Sequence, residues 1–146
     1  MKNTIALALI VISFVGCKKY SDDSKISLST AKARLTKTWT LNQLYKNKID
    51  VTDSIRLFAD TYTITFDKKG KFEIVWDKTL TLGTYTLPLH YTRTGSWAFQ
   101  DKKNVIAMVY ADDNSTQTIP ILQLTKDNLW IITTDKNENY EWHFKK

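Results

Sequence analysis

The two histidines, His90 and His143, are the side chains of this chain best suited to acid–base catalysis or metal binding. They lie far apart in the sequence, and neither has a carboxylate or cysteine at the spacing of a metal site. His143 alternates with apolar neighbours and is expected to face outward, and His90 follows a proline and is expected at the surface. The sequence therefore predicts no catalytic residues, no metal and no cofactor.

Three other motifs are explained better by structure than by chemistry. Residues 95–97, Gly-Ser-Trp, lack the second glycine and the strand-to-helix turn of a nucleophile elbow, and they predict the start of a strand. Residues 112–114, Asp-Asp-Asn, lack the longer ligand pattern of a calcium loop and predict a hairpin turn. The lysines of residues 68–71 and 145–146 fall in a turn and at the terminus, where solvated lysines belong. We expect no nucleic-acid partner.

Aromatic side chains are the feature that most favours a binding function. The chain has five tryptophans, seven tyrosines and six phenylalanines, many at alternating positions. In a small barrel such side chains either fill the interior or line a pocket for a small apolar or aromatic molecule. The candidate lining residues are Tyr62, Phe66, Phe72, Trp76, Trp97, Met108, Tyr110 and Trp142.

The elements that must position these side chains are strands, and residues 61–77 show the pattern most clearly. Apolar residues at 62, 64 and 66, and again at 72, 74 and 76, alternate with polar ones, which is the period of half-buried strands. Gly70 can take the left-handed conformation that closes the turn between them. We predict a β-hairpin whose six apolar side chains share one face. Trp97, Phe99, Met108, Tyr110 and Trp142 are predicted to join that face.

Similar short runs recur to the end of the chain, separated by turns rich in Asp, Asn and Lys. About eight or nine antiparallel strands fit either an up-and-down barrel or a sandwich, and the short turns favour the barrel. One short helix, capped by Ser27 or Ser29, is predicted before the first strand. Residues 28–146 are therefore predicted to form one all-β domain, expected to be monomeric. Within it, residues 47–60 form the only long connection, and their apolar side chains predict a lid over one end of the barrel.

The N-terminal segment predicts export. Its apolar run, residues 4–15, is too short for a bilayer that needs about 20 residues, so it indicates a signal peptide. Residues 14–17, Phe-Val-Gly-Cys, resemble the lipobox of bacterial lipoproteins, in which the cysteine becomes the lipid-modified N-terminus. The resemblance implies a signal peptide over residues 1–16 and lipidation of Cys17, the single cysteine of the chain. Residues 17–27 then form a flexible tether from the membrane.

The acidic residues 21–23 of that tether look like the signals that send some Gram-negative lipoproteins to the outer surface of the outer membrane. The expected location is therefore the cell envelope of a Gram-negative bacterium, with a lipid anchor in the outer membrane.

The order of four motifs, at residues 35–41, 66–72, 95–97 and 122–129, resembles the lipocalin-like domain of small bacterial lipoproteins. The resemblance covers nearly the whole mature chain and implies an antiparallel barrel with a short helix before its first strand. The glycine that usually precedes the first-strand tryptophan by two residues is Lys37 here. The arginine that many lipocalins place over that tryptophan is absent around Trp142.

Two functions remain open at this point. The barrel could hold a small hydrophobic ligand, or it could be filled and bind another envelope protein or a glycan through its surface. For want of paired catalytic groups, an enzyme is not expected.

Overall fold

The computed structural model describes residues 30–146. In chain order the described elements are α1 (Ala31–Leu35), β1 (Thr38–Lys46), β2 (Ile49–Asp50), α2 (Thr52–Arg56), β3 (Thr61–Phe66), β4 (Lys71–Leu82), β5 (Tyr85–Gln100), a 3-10 turn (Asp101–Lys103), β6 (Val105–Tyr110), β7 (Thr116–Leu124), β8 (Asn128–Asp135) and β9 (Glu138–Lys145). The predicted signal peptide, Cys17, the tether and the serine caps lie outside the described residues.

The strands form a closed, antiparallel up-and-down barrel, as predicted. Strands β3 to β9 pair in chain order, β1 pairs with β3 on one side and with β9 on the other, and the short β2 is an extra strand beside β1. Pairing between β1 and β3 is confined to residues 38–40 of β1, so the two strands separate beyond that point. The connection that contains α2 starts from this gap.

Local sequence explains the tight turns. Gly70 has a φ of 82°, and the Asp67 carboxylate accepts a hydrogen bond of 2.7 Å from the Lys71 backbone N–H, which fixes the predicted hairpin. Two-residue turns with positive φ join β1 to β2 and β8 to β9, and both contain an asparagine, Asn47 and Asn137. Turn chemistry therefore sets the register of three hairpins.

The two ends of the barrel differ, and we name them by what lies there. The helix end carries α1, the turn at residues 67–70 and the 3-10 turn. The hairpin end carries α2 and a projection formed by the β4–β5 hairpin, whose residues 78–89 pair only with each other. Among residues 30–146, no helix is long and apolar enough to cross a bilayer.

The interior near the helix end is filled. Its side chains come from α1 and from the inward positions of the strands, and the most completely buried are Leu35, Trp39, Phe66, Ile106, Met108, Ile121, Leu124, Leu129 and Phe144. Dense packing of this kind leaves no room for a ligand among these side chains.

Three sequence predictions are corrected here. Helix α1 is capped by Thr30, whose hydroxyl accepts a hydrogen bond from the Ala33 N–H, rather than by an earlier serine. Residues 95–97 lie inside β5 rather than at the start of a strand, because β5 continues unbroken from the projecting hairpin into the barrel. A second short helix, α2, occupies the long connection.

Candidate functional site

The segment of residues 47–60 is held against the hairpin end by hydrogen bonds on both sides. On the β1 side, the Val51 N–H donates a hydrogen bond of 2.8 Å to the Leu44 carbonyl. The Thr52 hydroxyl accepts a hydrogen bond of 2.9 Å from the Leu44 N–H. On the β4 side, the Lys78 ammonium group donates to the Asp60 carboxylate at 2.7 Å and to the Arg56 carbonyl at 2.8 Å. The segment therefore bridges the gap between β1 and β3.

An apolar pocket of about 460 Å³ opens beneath this segment. Its lining residues are Leu44, Lys46, Val51, Ser54, Ile55, Phe58 and Tyr140. The volume lies within the ~300–1,000 Å³ range of small-molecule sites. The predicted lid thus forms one wall of a pocket, although Leu57 and Phe58 themselves are about three-quarters exposed, at 73% and 75%. These two side chains do not cover the interior, contrary to the expectation for the apolar residues of this connection.

A row of aromatic rings crosses the hairpin end, and it starts at Trp142, the strand neighbour of the pocket residue Leu44. Leu44 pairs across the strands with Trp142, whose ring lies 5.6 Å from that of Tyr62. The Tyr62 ring stacks on Trp76 at 6.1 Å, and Trp76 stacks closely on Tyr91, at 4.0 Å. We call Trp142, Tyr62, Trp76 and Tyr91 the aromatic row. Tyr62, Trp76 and Trp142 are half-buried, so the barrel interior near the hairpin end is less completely enclosed than the interior near the helix end.

Tyr62 has an unused hydrogen-bonding group within this row. Its hydroxyl has no hydrogen-bond partner among the described residues, whereas Trp142 donates to the Thr133 hydroxyl at 2.9 Å and Tyr110 donates to Gln117 at 2.8 Å. Burial raises the pKa of Tyr62, so the hydroxyl keeps its proton at neutral pH. It can donate to or accept from a small molecule.

Several charged groups around the hairpin end are paired with one another. Lys46 forms an ion pair with Glu138, which also accepts a hydrogen bond of 3.3 Å from the Tyr140 hydroxyl. Arg93 donates to Asp112 at 2.8 Å and to Asp113 at 2.9 Å, and its guanidinium carbon lies 3.9 Å from the centre of the Tyr110 ring. These bonds lower the pKa of Asp112 through Arg93, and the pKa of Glu138 through Lys46. A charged ligand would have to compete with these pairs.

The structure divides the predicted lining residues into two groups. Phe66, Phe72, Trp97, Met108 and Tyr110 are buried in the packed core, at 2%, 3%, 7%, 1% and 8% exposure. Tyr62, Trp76 and Trp142 lie half-buried in the aromatic row. All eight point inward, as the alternation predicted, but none of them lines the 460 Å³ pocket. Trp142 pairs with one of its lining residues, Leu44. Their role as ligand contacts stays a prediction.

His90 takes part in a hydrogen-bonded chain that the sequence did not reveal. Its Nδ1 lies 2.6 Å from the Asp77 carboxylate and its Nε2 lies 3.0 Å from the Thr92 hydroxyl, all on the outer face of β4 and β5. A hydroxyl, an imidazole and a carboxylate in this order form the skeleton of a nucleophilic triad. The His90 side chain is 66% exposed, however, and this flat, solvated surface offers no enclosed place for a substrate.

His143 faces outward, as predicted, and is covered by a neighbour. Its ring stacks on Trp130 at 4.1 Å with an angle of 2° between the planes, and Nε2 lies 2.5 Å from the Glu141 carboxylate. Within residues 30–146, no cluster of three or more His, Cys, Asp or Glu side chains could hold a metal ion.

A second groove, of about 620 Å³, runs along the outer face of the barrel near Gly95. Hydroxyl, amide and charged groups share its lining with two aromatic rings; the residues are Thr65, Asp67, Lys71, Phe72, Glu73, Thr94, Gly95, Ser96, Val109, Tyr110, Ala111 and Asn114. The two rings, Phe72 and Tyr110, are themselves buried, whereas the hydroxyl, amide and charged groups of the groove can hydrogen-bond a polar ligand such as a sugar.

No protein-family model matches the chain, and no curated protein matches it. The assignment of a function therefore depends on the site itself. Sequence reasoning pointed to the apolar residues of 47–60, which include Ile55, but missed the pocket residues Leu44 and Tyr140. The apolar content of residues 47–60 does not reveal which strands lie opposite.

Proposed function

We propose that the protein is a membrane-anchored envelope lipoprotein with a lipocalin-like barrel that binds a small, largely apolar ligand at its hairpin end. The observation that carries the proposal is the 460 Å³ pocket between α2 and β1, in which the lining residue Leu44 pairs with Trp142 of the aromatic row. The ligand class follows from the lining, because aliphatic and aromatic side chains favour apolar molecules.

The expected binding mode follows from the positions of the apolar side chains and from which nearby polar groups lack a hydrogen-bond partner. Val51, Ile55 and Phe58 supply one wall of the pocket and Leu44 supplies the opposite wall. The charged groups nearby are already paired, so the Tyr62 hydroxyl is the group best placed to orient a ligand that extends into the aromatic row. A molecule with one hydroxyl or carbonyl group on an apolar skeleton fits this arrangement.

No catalytic role belongs to this proposal. The Thr92–His90–Asp77 chain lies on the outer face of the barrel, away from the apolar pocket, and binding at the pocket needs no nucleophile or base. The protein would carry or sequester its ligand rather than transform it.

Anchoring is the second part of the proposal and depends on Cys17. Replacing Cys17 by Ser should leave the precursor uncut and prevent lipid attachment, as seen by mass spectrometry and by membrane fractionation. A Cys17→Ser variant that is still cut and still partitions with membranes would refute the anchor without affecting the ligand proposal.

The ligand itself is best sought by native mass spectrometry of protein purified gently from its host. A retained small molecule, released on denaturation, is the expected result.

The alternative function is an accessory lipoprotein that binds an envelope glycan or protein through its surface. The groove near Gly95 favours this alternative, as does the filled helix end. Retention of an oligosaccharide, lost when Glu73 is replaced by Gln, would support it over the apolar-ligand proposal.

A further inference from the structure

We propose that the tip of the β4–β5 hairpin inserts into the surface of a lipid bilayer, so that the apolar pocket opens toward the membrane. The inference rests on the lipid anchor at Cys17 proposed above, and it identifies the bilayer as the place from which the ligand enters.

The tip carries an exposed apolar face. Leu80 pairs with Leu87 and Leu82 pairs with Tyr85, which places these side chains, with Leu89, on the face that continues the barrel interior. None of them is covered: Leu82 is 69% exposed and Tyr85 is 80% exposed. An isolated two-stranded hairpin of this kind gains little from its own packing.

The tip also carries no charge. Residues 79–89 include no Asp, Glu, Lys or Arg, although a quarter of the chain, 25%, is charged. Apart from the Tyr85 hydroxyl, the polar side chains of this stretch are threonines. Thr79, Thr81 and Thr86 occupy the opposite face of the hairpin, and Thr84 lies in its turn. Entry of such a tip into lipid therefore requires no charged group to lose its water, and the Tyr85 ring suits the boundary between headgroups and acyl chains.

Other exposed apolar residues lie at the same end. Apart from Val109 and Leu122, the large apolar side chains exposed in residues 30–146 all lie at the hairpin end, among them Ile49, Leu57 and Phe58. The charged residues just behind the tip are paired, Lys78 with Asp60 and Asp77 with His90. The tip is thus apolar and uncharged, and these charged side chains next to it have partners. A neutral bilayer surface matches this distribution, and anionic lipid is not required.

The length of the chain before the described residues permits this orientation. The thirteen residues that follow Cys17, up to Thr30, reach roughly 45 Å when extended, since each residue spans at most ~3.3–3.6 Å. The tether has to span the distance from the tip to α1, which joins the barrel beside Phe66 and thus level with the start of β4. Strand β4 has 12 residues and is about 40 Å long at ~3.3 Å per residue. The tether can therefore run from the membrane past the barrel to α1 at the helix end.

The test places a fluorescent label at either end of β4. Leu82→Cys marks the projecting tip, and Lys69→Cys marks the turn at the opposite end, where the side chain is also exposed. Each full-length, acylated protein is labelled with an environment-sensitive dye and reconstituted into phosphatidylcholine vesicles, with and without a lipid-borne quencher. Lipid on Cys17 leaves the introduced cysteine as the single labelling site, so the wild type serves as the control that takes no dye.

At position 82 we expect emission shifted to shorter wavelength and quenched by the lipid-borne quencher, with neither effect at position 69. Unshifted emission at both positions, or a shift at position 69 alone, would overturn the proposal. A shift at position 82 that the lipid-borne quencher leaves unchanged would also overturn it and would assign the tip to a second copy or another protein. Dye on the wild type would instead show that the anchor at Cys17 is wrong, which separates the two failures.

Discussion

The indole N–H of Trp39 donates a hydrogen bond of 2.9 Å to the carbonyl oxygen of Leu35, and both side chains are completely buried. This bond joins the end of α1 to the first strand of the barrel. Above the same indole, the Lys37 ammonium group lies 5.1 Å from the ring centre and donates 2.8 Å to the Lys126 carbonyl. The Lys37 side chain thus covers one face of the Trp39 ring at the helix end.

Trp39→Phe should destabilise the protein by about 2–4 kcal/mol. The phenyl ring leaves part of the indole volume empty and leaves the Leu35 carbonyl without its donor, and each effect costs ~1–2 kcal/mol. Urea unfolding, followed by circular dichroism, measures the change. Trp130→Phe is the matched control, because Trp130 lies on the outer face against His143. Equal losses for the two variants would contradict the account of the helix end.

Gly95→Ala should destabilise the barrel far more than Gly83→Ala. A Cβ at position 95 would overlap the Val109 carbonyl oxygen and come within 2.6 Å of the Phe72 ring, so backbone and ring would both have to move. We expect a loss above ~3 kcal/mol, or failure to fold, since overpacking of this severity exceeds the usual range. Gly83 has a φ of 63° and open space around it, so its substitution should cost about 1–2 kcal/mol from backbone strain alone. Thermal unfolding of the two variants gives the comparison.

Acid should loosen the hairpin end of the barrel. Hydrogen bonds from Lys78 and from the Thr79 N–H lower the pKa of Asp60 below its ordinary value of 3.8. Because the folded-state pKa is the lower one, this carboxylate stabilises the fold above pH 3.8 and loses that effect as the pH falls further, through the folded-state pKa. The pKa values of Asp50, Asp77, Asp112, Asp113 and Glu138, all at the hairpin end, are lowered in the same way.

The measurement is hydrogen exchange of residues 51–60 between pH 5 and pH 3, corrected for intrinsic rates. Protection of this segment should fall with pH in the wild type, and Asp60→Asn should already show low protection at pH 5. Asp135→Asn is the control, because the Asp135 carboxylate has no side-chain partner among the described residues. If Asp60→Asn leaves the hydrogen-exchange protection of residues 51–60 unchanged at pH 5, the Lys78–Asp60 contact does not hold this segment in place.

The barrel was predictable because its information is local. Alternation at residues 61–77 gives strands, and Asp67 with Gly70 gives the turn, so neighbours in sequence become neighbours in the sheet. The pairing register of these strands follows because a shift by one residue would turn the apolar face toward solvent. The same locality explains why all the predicted inward residues of that hairpin point inward.

The site was not predictable because it depends on distant contacts. Leu44 and Tyr140 line one pocket because β1 pairs with β9, a contact between nearly opposite ends of the chain. In the sequence, Lys78 has no feature that distinguishes it from other strand lysines. The structure shows that it holds α2 through hydrogen bonds to Asp60 and to the Arg56 carbonyl. The tip at residues 79–89 reads as half-buried strand, whereas its apolar face has no neighbour in the described structure because no adjacent strand extends that far.

The central claim is that the pocket beneath α2 binds apolar molecules, and filling that pocket tests it most directly. Ile55 lines the pocket and Ile49 lies exposed outside it, so Ile55→Trp and Ile49→Trp add the same ring system at two places in one segment. The measurement is the Kd of an apolar fluorescent probe for the wild type and both variants, with circular dichroism to confirm the fold. We predict that the wild type and Ile49→Trp bind the probe equally, and that Ile55→Trp binds it at least about tenfold more weakly because the ring occupies the probe's volume. Absence of probe binding by the wild type, or equal binding by all three proteins, would contradict the account.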